Sequence, residues 1–143
     1  MAEAALAGGA TAVQLRAPEL TEPRLEALAG ELAERCREAG ALFVVNDRVA
    51  VAASVGAGAH VGQGDDPGSA REALDPTAVL GVSVSTTDEA RAAEVAGADY
   101  LGVTVWATPT TGSEISRAIA RRPSRPRGSA SGLVRVAHTV TPR

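Results

Sequence analysis

Ala39-Gly40-Ala41-Leu42-Phe43-Val44-Val45-Asn46-Asp47-Arg48 is the stretch that decides the fold. It holds three signals in order. A glycine flanked by alanines closes a helix, because Gly just past a helix end adopts the left-handed conformation cheaply. Four apolar residues follow, short and β-branched enough for a strand. An amide, a carboxylate and a guanidinium then stand at the far end of that strand. Upstream, Thr21-Glu22-Pro23 reads as a helix start, with Pro in the first turn and an acid at the positive end of the dipole. Leu25, Leu28, Leu32 and Cys36 fall on one face of that helix at three- and four-residue spacing.

Working outward, the same unit recurs. Leu6-Ala7-Gly8-Gly9-Ala10 precedes an apolar run at 11–15. Gly56-Ala57-Gly58-Ala59 precedes His60-Val61, and Ala96-Gly97-Ala98-Asp99 precedes Tyr100. A further strand is predicted at 79–83, with no Gly-Ala entry. Thr86 or Thr87 caps a helix that begins Asp88-Glu89 and runs to Ala96, and weaker helices occupy 49–55 and 69–74. Strands that alternate with helices give a parallel sheet. The prediction is α/β: an incomplete (β/α)8-type barrel with about five parallel strands, at 11–15, 42–45, 59–62, 79–83 and 100–105. A closed barrel needs eight strands, so three are missing from the pattern.

Charge divides the chain. All 14 basic residues are Arg. Residues 1–116 carry seven of them against all 17 acids, a net −10, and 117–143 carry the other seven, a net +7. The pattern stops after Ile115–Ala120. Residues 121–132 are rich in Arg, Pro, Ser and Gly and poor in apolar side chains, the composition of a disordered segment. Leu133–Val140 could form one short strand. The organisation expected is therefore a partial barrel at 1–120 and a disordered or frame-shifted tail at 121–143. The +7 tail suits a nucleic-acid arm on charge alone, but aromatics are only 2% of the chain and give no platform for stacking bases. No apolar run reaches a membrane span, and the start carries an acid where a signal peptide is basic. One cysteine, Cys36, allows no internal disulfide and agrees with a reducing, cytoplasmic setting; it reads as a buried core residue.

In a parallel barrel, side chains at the carboxyl ends of the strands share one mouth. The clusters expected there are Gln14-Leu15-Arg16, Asn46-Asp47-Arg48, Gly62-Gln63-Gly64-Asp65, Ser83 and Thr108-Pro109-Thr110. Magnesium takes one or two carboxylates plus waters and substrate phosphates, and Asp47 and Asp65 at neighbouring strand ends provide them. The competing reading is that Asp47 caps the next helix and that Asp65 or Asp66 caps the one after Pro67. Arg16 suits bidentate phosphate binding or plain solvation, and Asn46 a ligand amide or a turn. Ser83 could donate to a phosphate or ring nitrogen, or bond to backbone. Thr108 and Thr110 could cradle a phosphate or form a turn. His60 reads as structural, at a strand start, and Arg48 as a helix-surface residue.

In joint order these segments resemble the thiamine phosphate synthase family. The match runs through Gly9-Ala10-Thr11-Ala12-Val13-Gln14-Leu15-Arg16, Leu42-Phe43-Val44-Val45-Asn46-Asp47-Arg48 and His60-Val61-Gly62-Gln63-Gly64-Asp65. It continues through Leu80-Gly81-Val82-Ser83-Val84, Gly97-Ala98-Asp99-Tyr100-Leu101-Gly102-Val103 and Thr108-Pro109-Thr110, covering about residues 3–120. The resemblance implies a (β/α)8 transferase of thiamine biosynthesis. It joins a hydroxymethylpyrimidine pyrophosphate to a thiazole phosphate and releases pyrophosphate with magnesium assistance. By the same resemblance, Asp47 and Asp65 hold magnesium, Arg16 and Asn46 bind pyrophosphate, and Gln14 binds the pyrimidine. Ser83 contacts the pyrimidine or the leaving group, so Arg16 and Ser83 are the residues expected to act in catalysis. Thr108 and Thr110 hold the thiazole phosphate.

The chain departs from the family pattern at identifiable places. Pro18 and Thr111 stand where the family usually has lysines, and Thr104–Ala107 lacks the usual Gly-Pro. Loss of each charge-assisted contact would cost about 2–4 kcal/mol of transition-state binding. Residues 121–143 contain nothing like the family's last Gly-rich loops. The expectation is a piece of the family barrel, truncated at both ends, with open sheet edges through which it could self-associate. Two other readings stand beside the synthase: a thiazole tautomerase on the same scaffold, and an inactive fragment or phosphate-metabolite binder. Two retained carboxylates favour the synthase, since a tautomerase has no pyrophosphate to neutralise.

Overall fold

Positive backbone angles at Gly9, Gly40, Gly56 and Gly97 mark the four helix-to-strand returns (φ 87°, 66°, 66° and 92°). In each return the alanine after the glycine donates its N–H to a carbonyl five residues back: Ala10 to Ala5, Ala41 to Cys36, Ala57 to Ala52 and Ala98 to Ala93. This is the Schellman closure, and it satisfies carbonyls that a helix end would otherwise leave bare. A computed structural model shows what these returns connect, and it describes residues 2–103 and 139–140. The order is α1 (Ala2–Ala7), β1 (Ala12–Leu15), α2 (Glu22–Glu38), β2 (Leu42–Asn46), α3 (Val49–Ser54) and β3 (Gly58–Val61). Then come α4 (Pro67–Ala73), β4 (Leu80–Val84), α5 (Thr87–Val95), β5 (Tyr100–Val103) and the two-residue β6 (Thr139–Val140).

All pairings are parallel, and the strands lie in the order β5-β4-β3-β2-β1-β6. β1 to β5, each preceded by a helix, thus form a curled parallel half-barrel, as the alternation predicts. β6 lines the free side of β1, pairing Gln14 with Thr139. The expected division of the chain at 120/121 lies outside the described residues.

Each strand alternates. Val13, Leu15, Phe43, Val45, Ala59, Val61, Leu80, Val82 and Val84 join one apolar core with Leu25, Ala29, Leu32, Cys36, Val51, Ala52, Ala70, Ala90 and Ala93 from the helices. That core lies between the sheet and its helical layer. Cys36 is fully buried in it, as the helix pattern implies. The alternate residues face the other side of the sheet: Leu42 and Val44 are apolar, and the rest include the polar or small Gln14, Asn46, Gly58, His60, Gly81, Ser83 and Gly102, with Tyr100.

The helix starts follow their sequence signals with one exception. Thr86 accepts from the Glu89 N–H while Glu89 reaches back, a complete capping box. Asp66 caps α4 through Gly68 and Ser69. Thr21 occupies the N-cap of α2, but its side chain makes no capping bond; Pro at the first turn, which has no N–H to satisfy, takes over part of that role.

Candidate active site at the carboxyl ends of the strands

The strand register places Asn46 beside His60, His60 beside Gly81, and Gly81 beside Tyr100. These four residues form one level across β2 to β5. Ser83, paired with Gly102, sits one step nearer the carboxyl end. His60 connects the two levels. Its Nδ1 lies 2.9 Å from the Tyr100 hydroxyl and its Nε2 lies 2.9 Å from the Ser83 hydroxyl. The His60 and Tyr100 rings are tilted at 35° with centroids 5.4 Å apart. Glycines leave room for them. A Cβ on Gly81 would stand 2.1 Å from the Tyr100 ring, and one on Gly102 would stand 3.0 Å from His60.

His60 therefore does not stand at a strand start. It is the third of four residues in β3, half-buried among the expected site residues. Burial lowers its pKa below the ordinary imidazole value, the Asp47 carboxylate raises it, and the Arg16 guanidinium lowers it. Both charges thus lie near one ring, which places the ends of β1 and β2 beside β3. Tyr100, half-buried, has its hydroxyl pushed up to about 12 by burial. Sequence reasoning overlooked His60 and Tyr100, although a signal was present. Gly58-Ala59-His60-Val61, Gly81-Val82-Ser83-Val84 and Tyr100-Leu101-Gly102-Val103 alternate with the same period, so whatever faces with Ser83 includes His60 and Tyr100.

The carboxylates separate by role. Asp66, not Asp65, caps α4, and its pKa is lowered by the Ser69 hydroxyl and the Gly68 and Ser69 amides. Asp65 Oδ2 accepts from the Gly62 N–H at 2.8 Å and so closes its own loop after β3. Asp47 does not cap α3, whose N-cap is Arg48. Asp47 instead takes φ 62° and donates its N–H to the His60 carbonyl at 2.8 Å. A non-glycine residue in the left-handed region is uncommon, and Asp and Asn tolerate it best. Gln63 fastens the same loop to the next one, donating to Ser85 Oγ at 2.6 Å and to Glu89 at 3.1 Å.

Of the other expected residues, Gln14 is half-buried on β1, Arg16 is exposed just past it, and Asn46 is half-buried at the end of β2. Ser83 bonds to His60 and not to backbone. Thr108 and Thr110 lie outside the described residues. For magnesium, the test is whether the donors suit a hard cation that keeps waters and substrate oxygens. Asp47 and Asp65 lie at the ends of neighbouring strands, and neither is engaged as a helix cap. Among the described residues no three His, Cys, Asp or Glu side chains gather into a cage. Two carboxylates at neighbouring strand ends are the donor type that magnesium with a phosphorylated substrate takes, so the donor chemistry fits.

A parallel half-barrel with its polar row at the strands' carboxyl ends defines the TIM-barrel class. The chain belongs to the thiamine monophosphate synthase family, whose family model matches residues 1–120. The thiamine-phosphate synthase of Moorella thermoacetica is 55% identical over 111 residues, which is 76% of this chain and 53% of that protein. That of Laribacter hongkongensis is 50% identical over 111 residues, 76% of this chain and 52% of the relative. Among solved structures, thiamine phosphate pyrophosphorylase from Pyrococcus furiosus superposes with a TM-score of 0.68 at 38% identity, covering 77% of this chain and 55% of that one. The chain spans about half the length of the curated relatives it matches.

Proposed function

We propose that this chain carries the pyrophosphate-handling half of a thiamine phosphate synthase site. The reaction joins hydroxymethylpyrimidine pyrophosphate to thiazole phosphate and releases pyrophosphate. The observation that carries this reading is the polar row at the strand ends, where Arg16, Asp47, His60 and Ser83 belong to four consecutive strands or the loops that follow them. Asp47 and Asp65 hold magnesium, which when bound offsets the negative charge of the diphosphate. Arg16 donates to phosphate oxygens as a fork, and the Asn46 amide orients the same group. Gln14 holds the pyrimidine. The Ser83 hydroxyl donates to the leaving oxygen as the carbon–oxygen bond breaks, which favours the transition state over the bound substrate. The thiazole ring nitrogen then captures the pyrimidine-methyl cation. The buried lone thiol of Cys36 accords with a cytoplasmic enzyme, and no helix among the described residues is long and apolar enough to cross a membrane.

The purified chain is given both substrates with magnesium or with a chelator, and thiamine phosphate is measured. Product that requires magnesium and disappears in Asp47→Asn supports the synthase. Absence of product under all conditions overturns it. One observation favours a second reading, a phosphate-metabolite binder without turnover: Pro18 is exposed just beyond Arg16, where the resemblance puts a lysine. Calorimetric binding of pyrophosphate with no product would select that reading.

A further inference from the structure

Three strands place one residue each into a hydrogen-bonded row: Tyr100 on β5, His60 on β3 and Ser83 on β4. The row climbs toward the mouth. Tyr100 and His60 share one level of the sheet, and Ser83 is one step closer to the carboxyl end. Gly81 lies beneath the Tyr100 ring, where any Cβ would collide, and Gly102 lies beside His60, where a Cβ would be tightly crowded. The space is thus shaped for these two rings. Among the described residues, no buried side-chain polar atom lacks a partner.

A neutral imidazole has one N–H donor and one bare nitrogen acceptor. Its two neighbours therefore cannot be arranged independently. If Tyr100 donates to Nδ1, then Nε2 carries the proton and donates to Ser83 Oγ. The Ser83 hydroxyl hydrogen is then free to point elsewhere. In the opposite arrangement Ser83 donates to Nε2 and its hydrogen is used within the row. A phenol donates better than an alcohol, and an alcohol oxygen accepts better than a phenol oxygen. Both preferences select the first arrangement.

We infer that Tyr100 and His60 are positioning residues for Ser83: they fix the imidazole tautomer so that the Ser83 hydroxyl remains a donor facing the mouth. The inference deepens the proposed function, on which its catalytic consequence rests. It concerns the bonded row itself, so it has a readout that needs no turnover.

Nitrogen-15 NMR of the histidines in the full chain at pH 8 reads the tautomer directly; His60 and His138 are the two histidines, assigned by a His138→Gln variant. His60 is expected as the single Nε2–H form in the parent chain and as a mixture in Tyr100→Phe. Nδ1–H in the parent, or no change on Tyr100→Phe, overturns the inference. The second readout is a cycle of thiamine phosphate formation. Tyr100→Phe is expected to lower kcat about tenfold with KM unchanged, and to have no further effect when added to Ser83→Ala. Equal loss in both backgrounds would show a structural role and overturn the positioning claim. An inactive chain that nonetheless shows the tautomer change sinks the proposed synthase and leaves the row intact.

Discussion

Tyr100 is the chain's one tyrosine, so its ionisation can be followed by absorbance without ambiguity. Burial raises it from 10.0 to about 12. The folded form holds its proton more tightly than the unfolded one, so its contribution is intact below pH 10 and is lost as pH rises toward 12. Tyrosinate absorbance should rise near pH 12 in the folded chain and near 10 in urea; a midpoint of 10 without denaturant would contradict the burial. Asp47 makes a different prediction. Its left-handed backbone is strained by about 1–2 kcal/mol for a side chain other than Gly, so Asp47→Gly should keep or raise the melting temperature while removing magnesium-dependent pyrophosphate binding. Loss of both would mean that the carboxylate holds the fold. Asp65 and Asp47 were legible as candidates from position alone. What the sequence could not decide was which carboxylates cap helices, because Asp65 and Asp66 are adjacent and the choice between them depends on where α4 starts. His60 was misplaced for a related reason: a strand boundary wrong by one residue moves a side chain from its middle to its start.

At the scale of the element, the helix-to-strand return is the most readable feature of the chain. Gly40 has open space where a Cβ would go, so Gly40→Ala tests backbone conformation alone. It should cost about 1–2 kcal/mol in chemical denaturation, and Gly40→Asn less; no change would mean that the return can re-form without the left-handed angle. Gly81→Ala tests the opposite case. Its backbone angle is ordinary, but the new methyl collides with Tyr100, and overpacking of this kind costs about 1–3 kcal/mol. The four returns were legible because Gly and Ala at a helix end have a local cause. The short helices α3 and α4 were foreseen with displaced ends, since six- and seven-residue helices owe more to packing than to propensity.

Across the whole molecule, the two rims of the half-barrel do different work. On the rim where strands begin, Arg71 donates to the carbonyls of Ala78 (2.8 Å) and Asp75 (2.5 Å), and Asp99 accepts from the Leu80 N–H at 2.9 Å. Asp99→Ala strips that half-buried amide of its partner, a loss of about 1–3 kcal/mol. Stability should fall in denaturant titrations with ligand binding at the opposite rim unchanged; a matching fall in pyrophosphate affinity at saturating fold would refute the separation. The curled sheet and its polar rim were visible in the sequence because each unit repeats. The bonds between units were not, because Gln63 with Glu89 or His60 with Tyr100 depend on strand register.

Sequential strand order also governs how the chain assembles. Val44 pairs with Gly58 fourteen residues on, and Gly81 with Tyr100 nineteen on, whereas Gln14 reaches to Thr139 for its outer partner. Short closures cost less chain entropy than long ones and form sooner. The interior strands can therefore zip outward from β2 and β3, each unit templating the next, with the β1–β6 seam last to close and first to open. Amide exchange should grade accordingly, slowest in Val45 and Ala59 and fastest at Leu15, so that the half-barrel behaves less like an all-or-none globule than like a short array whose end frays first.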